Sequence, residues 1–130
     1  MSSRYLLDTH IILAILRADV YERFPWLARL VSAPDFVGVV SVASLWEIAI
    51  KTRLGKLDPG IALERMRSSL QDAGLTILRI DIEHVLTAAE PEPPTRDPFD
   101  RLLLAQCQVE GLQLVTIDRA LVGHPLAFRF

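Results

Sequence analysis

An α/β fold, built on a mostly parallel sheet covered by helices on both faces, is what this sequence predicts, and three observations carry the prediction. Short apolar runs rich in Val, Ile and Leu recur between segments of helical periodicity, the pattern of strands joined by crossover helices. Helix start and stop residues punctuate those segments, with Ser41 and Asp81 placed as N-caps and Gly55, Gly74 and Gly111 as terminators. A length of 130 residues suits one core that needs no disulfide, so residues 1–130 are expected to form a single domain.

Residues 5–7 read as a short buried strand, followed by an apolar helix over 9–17 and a second helix over 21–31. The continuous β-rich run at 36–40 is the next strand, after which Ser41 caps a helix reaching about residue 53. Pro59 suits the first turn of a further helix, which runs to about residue 72. A strand over 75–80 follows, then a helix from Asp81 to about residue 89. The stretch EPEPPT at 90–95 cannot propagate a helix and reads as a loop. Helix resumes at Pro98 and stops near Gly111; residues 112–116 form the last clear core strand, and a final one is expected at 127–130.

Four acids stand where these elements meet: Asp8 and Asp118 just beyond predicted strands, Glu47 and Asp100 in the early turns of helices. In a parallel α/β sheet ligands bind at the carboxyl ends of the strands, so all four can face one edge. Carboxylates gathered there raise one another's pKa unless a cation neutralises them. A divalent metal is the simplest answer and points to phosphodiester chemistry. Each acid also has a plainer reading. Asp8, Thr9 or Asp118 can cap a helix or turn; Asp97 fits N-cap, Pro98 the first helical position and Asp100 the dipole-favoured third. Glu47 interrupts the apolar run VASLWEIAI and lies one turn before Lys51, a pairing worth only ~0.3–0.5 kcal/mol on a helix surface.

Composition narrows the partners. Net charge is −2, but setting the four acids aside leaves 12 acidic against 14 basic residues, which permits a nucleic-acid substrate. Lys51, Arg53 and Lys56 form a basic stretch, and Arg96 and Arg101 flank the segment DPFD; each can contact phosphate or simply be solvated. A hydrophobic content of 51% exceeds the roughly 45–50% of ordinary soluble domains, so part of the surface is expected to lie in an interface through the apolar early helices. The lone Cys107 sits in an apolar helix as a core thiol, in keeping with a reducing cytoplasm. No apolar run approaches the ~18–20 residues needed to span a bilayer. His10, His84 and His124 lack metal-ligand spacing and read as structural or surface residues, and Trp26 and Trp46 as core or interface anchors.

Taken together, LLDTH at 6–10, SVASLWEIAIKTRLGKL at 41–57, RDPFDRLLLAQ at 96–106 and VTID at 115–118 resemble the PIN-domain ribonucleases, most closely the VapC-type toxins of bacterial toxin–antitoxin pairs. No single motif is specific, but four in this order over nearly the full length are. The resemblance implies a three-layer α/β/α sandwich and an acidic quartet of Asp8, Glu47, Asp100 and Asp118 holding Mg2+ or Mn2+. Thr9, Asp97 and Thr116 would stand behind the quartet, and Lys51, Arg53, Arg96 and Arg101 would grip RNA. It further implies an endoribonuclease toxin, neutralised by a cognate antitoxin and forming a homodimer. Two substitutions depart from the usual pattern, Ala14 for Trp and Pro94-Thr95 for a His pair, and the segment after Asp118 is short. A haloacid-dehalogenase-like phosphatase would need a second Asp where His10 stands, and an inactive PIN-like binding module would have lost acids that this chain keeps.

Overall fold

The structure, a computed structural model, describes residues 4–129. Four strands, β1 (Arg4–Leu7), β2 (Val37–Ser41), β3 (Thr76–Leu78) and β4 (Gln113–Val115), form one sheet in the order β3-β2-β1-β4 with every pairing parallel. Adjacent residues on the strands pack to opposite faces. Leu6, Val39 and Leu114 enter one core with Leu103, Leu104 and Cys107, whereas Leu7, Val40 and Val115 enter the other with Ile11, Ile12, Ile48 and Leu70. This is the pattern of a sheet buried on both sides, and it gives the three layers of an α/β/α sandwich.

The helices are α1 (Thr9–Leu16), α2 (Val20–Arg23), α3 (Leu27–Val31), α4 (Val42–Arg53), α5 (Met66–Asp72), α6 (Ile82–Leu86) and α7 (Pro98–Glu110). Their caps follow the sequence closely. Ser41 Oγ accepts from Ala43 N at 3.0 Å, Asp97 Oδ1 accepts from Phe99 N at 2.8 Å with Pro98 behind it, and Gly111 ends α7 at φ 69°. Asp81 closes a reciprocal box on α6, its own N–H donating to His84 Nδ1 at 2.9 Å. His84 is buried and its Nε2 reaches Glu110 at 2.9 Å, fastening α6 to α7.

Several elements differ from expectation. The helix over 21–31 is two, because Pro25 lacks the N–H that a continuous helix needs and keeps Phe24 out of the helical region, at φ -130° and ψ 73°. The helix after Pro59 starts late, with a 3-10 turn at Leu63–Arg65, because Gly60 turns the chain at φ 81° and the Asp58 carbonyl is held by Arg17 Nε and Nη2 at 3.1 and 2.7 Å. The strand at 75–80 shrinks to β3 and the helix at 81–89 to α6. At the last expected strand, Ala127 makes a single parallel bridge to Leu114, while Phe130 lies outside the described residues. Trp46 is 58% exposed, its ring edge-on to Phe99 at 5.7 Å, so it anchors no core. Burial pushes the Cys107 thiol up, and it is inert packing. Among the described residues no helix is long and apolar enough to cross a membrane.

Candidate active site

Asp8 follows β1 directly, where the chain leaves the sheet between β2 and β4. Its N–H donates to Val115 O at 3.0 Å, Oδ1 caps α1 by accepting from Ile11 N at 3.1 Å, and Oδ2 accepts from the Thr116 hydroxyl. The capping role and the cleft position therefore coexist. Only 4% of Asp8 is exposed, and burial pushes its carboxyl pKa up against the opposing pull of Thr116 and the Ile11 N–H. Thr116 Oγ1 also accepts from Asp118 N at 3.0 Å, so one hydroxyl ties the ends of β1 and β4 and sets both acids. Asp118 Oδ1 accepts from Ala120 N at 2.9 Å.

Glu47 is buried on α4, with Oε1 accepting from Thr9 Oγ1 at 2.8 Å and Oε2 from Lys51 Nζ at 2.7 Å. The helix buries the Glu47 end of this ion pair, while the Lys51 side chain stays 47% exposed at the cleft mouth. The Glu47 hydrogen bond holds the Lys51 ammonium pKa above its ordinary value, with Asp97 and Asp100 adding to the effect. Asp100, at the third position of α7, faces the same space. Its carboxyl is pushed up to about 7, first by burial and then by Asp97, Asp118, Glu47 and Asp8 in turn. Four other carboxylates thus act on Asp100 at once, the electrostatic mark of convergence.

The cleft they line is about 330 Å3 and includes Asp8, Thr9, Glu47, Lys51, Asp97, Asp100 and Asp118. A hollow of similar size beneath the proline-rich loop, bounded by Ala88, Ala89, Pro93 and Arg101, has only the exposed Glu90 and Glu92, the latter paired with Arg101. Among the described residues no three His, Cys, Asp or Glu side chains form a ready-made metal cage. Oxygen donors spread around an open cleft still fit a hard cation that keeps much of its water, as Mg2+ does.

Of the four basic residues expected to meet substrate, only Lys51 lines the cleft. Arg53 and Arg96 are exposed elsewhere, and Arg101 braces the proline-rich loop through Thr95 O at 2.7 Å and Glu92 at 3.2 Å. The structure instead brings His10, Arg17 and Arg23 to the cleft wall. His10 comes with the LLDTH segment in the first turn of α1, whereas no local motif marks Arg17 and Arg23, which stand at the ends of α1 and α2.

Comparison with known proteins agrees with the fold. The structure of VapBC2 from Rickettsia felis bound to a DNA fragment from their promoter contains a chain with a TM-score of 0.59 to this one, at 18% identity and covering 96% of both chains. That likeness is one of fold. No curated protein sequence matches the chain. Residues 5–123 match the PIN domain family model, and over that span the strand-end acids of the cleft are all included: the chain belongs to the PIN domain family.

Proposed function

We propose that this protein is a metal-dependent endoribonuclease toxin of the VapC type, restrained by a cognate antitoxin. PIN domains are generally nucleases, and the observation that carries the reading is the convergence of Asp8, Glu47, Asp100 and Asp118 on one cleft, where burial first and neighbouring carboxylates second lift Asp100 to about 7. Crowded, partly buried carboxylates destabilise the fold unless they bind something positive.

A bound Mg2+ or Mn2+, held by Asp8, Asp100 and Asp118 with Glu47 completing the shell directly or through water, would supply an activated water and charge neutralisation at the phosphate. The chain's own residues prepare the site. Thr116 fixes the orientation of Asp8 through Oδ2. Asp97, by capping α7, sets Asp100 at the rim. Thr9 and Lys51 hold both oxygens of Glu47, and the Lys51 ammonium adds positive charge beside the phosphate path.

The partners follow from the same reading. The structural neighbour is a VapBC complex, which supports an antitoxin here. A homodimer would bury apolar side chains now exposed, Tyr21 on α2 and, more prominently, Ile82, Val85 and Leu86 on α6. The test is a metal titration with a labelled RNA pool, comparing wild type with Asp8→Asn and Asp100→Asn. Cleavage should require Mg2+ or Mn2+ and fall at least ~100-fold in both variants. Cleavage in the presence of a chelator, or undiminished in the variants, refutes the mechanism.

A further inference from the structure

Beside the acidic cleft lies a second hollow of about 340 Å3, lined by His10, Leu13, Arg17, Arg23, Phe24 and Ile117. It shares His10, Leu13, Arg17 and Arg23 with the cleft, so the two form one continuous trough. Their chemistry is opposite. The cleft gathers carboxylates, whereas the annex has two guanidinium groups over an apolar floor made by Phe24 and the 40%-exposed Ile117.

Nothing in folding calls for Arg23. It sits on the single-turn helix α2, which buries no residue and has no side-chain cap, and among the described residues the Arg23 guanidinium, unlike its backbone N–H, has no hydrogen-bond or ion-pair partner. Arg17 is the reverse case: its Nε and Nη2 are fixed on the Asp58 carbonyl, which leaves the rest of the guanidinium rigidly presented. The Phe24 ring is steadied by Trp26 at 6.0 Å. A fixed and an unpartnered cation beside an aromatic surface can take a phosphate and the flat face of a base together.

We infer that this annex binds the nucleotide next to the scissile phosphate, with Arg23 and Arg17 on its phosphate and Phe24 under its base. The inference rests on the nuclease reading above and adds to it where RNA lies. A base must leave its stack to reach Phe24, so the substrate is single-stranded at that point. The annex also supplies the attraction that a polyanion needs to approach a site rich in carboxylates.

The test is binding of a short, fluorescein-labelled, mixed-sequence single-stranded RNA to the Asp100→Asn protein in Mg2+, followed by anisotropy across a salt series. Arg23→Ala should weaken binding about fivefold or more and reduce the salt slope by about 0.7, one phosphate contact on a single strand. Arg23→Lys should retain the slope, and Arg67→Ala, on the exposed side of α5, should change neither quantity. With the acids intact, Arg23→Ala should raise KM and leave kcat standing. Phe24→Leu should narrow the affinity gap between this RNA and an abasic strand of equal length. Unchanged affinity and slope in Arg23→Ala overturn the annex, as does an unchanged abasic gap in Phe24→Leu. RNA cleavage that persists alongside those results leaves the nuclease reading intact, whereas absent cleavage with Arg23-dependent binding removes the nuclease and keeps the site.

Discussion

Replacing Asp100 by Asn should stabilise the metal-free protein while abolishing cleavage, and the effect should depend on pH. The Asp100 carboxyl moves from an ordinary 3.8 to about 7 in the folded chain. Each unit corresponds to ~1.4 kcal/mol, so the full shift converts to ~4 kcal/mol. The side chain is only half-buried and solvent screens its neighbours, which reduces the figure to ~1–2 kcal/mol. Asn also forfeits a favourable charge in the first turn of α7, a loss of ~0.3–1 kcal/mol, so the net gain at pH 8 is about 1 kcal/mol. A folded carboxyl that holds its proton more tightly than the unfolded chain contributes stability in full below pH 3.8, and that contribution is lost as pH climbs through about 7. Wild type should therefore weaken between pH 5 and 8 while Asp100→Asn stays flatter; the buried Asp8, shifted in the same direction, leaves some slope in both. Urea denaturation with a chelator present, at pH 5 and pH 8, measures the difference. A variant destabilised equally at both values would show that Asp100 is not under repulsion, and the argument for convergence would fail.

Two further substitutions probe the frame. Thr116→Val keeps the shape but strips Asp8 Oδ2 and Asp118 N of their shared partner; it should cost about 1–3 kcal/mol and lower activity 10- to 100-fold, with Thr116→Ser restoring both, as read by denaturation and RNA cleavage. Gly38→Ala places a Cβ 2.5 Å from Leu75 Cδ2 and 3.1 Å from the Phe36 ring, so a loss of about 1–3 kcal/mol in thermal unfolding is expected although the residue lies far from the cleft.

Elements marked by local chemistry were readable in the sequence. Asp97, Pro98 and Gly111 bound α7 because cap and turn residues act within a few positions of themselves. The apolar runs at β1, β2 and β4 reported burial on both faces, and hence the layers. What escaped was set by distance or competition. Helical periodicity in residues 21–31 concealed the break at Pro25, which outweighs it. The start of α5 was lost to the grip of Arg17 on Asp58, a contact 41 residues apart in the chain. For Trp46 the choice between a core and an interface anchor stayed open because hydrophobicity does not say which way a helix faces, and its exposure removes only the core role. The acids were conspicuous because charge in an apolar context is costly; Arg17 and Arg23 were not, since arginine at a helix end is ordinary.

The Thr116 hydroxyl joins residues 108 apart in sequence, and the strand it follows is the last of the sheet in chain order. Asp8 can cap α1 and β1 can pair with β2 early in the chain, but the Val115 carbonyl and Thr116 hydroxyl that hold Asp8 arrive only with β4. Asp118 comes just after. On the nuclease reading, a copy whose first and last strands have not yet paired holds no assembled site, because the acids of the cleft meet only when the sheet closes.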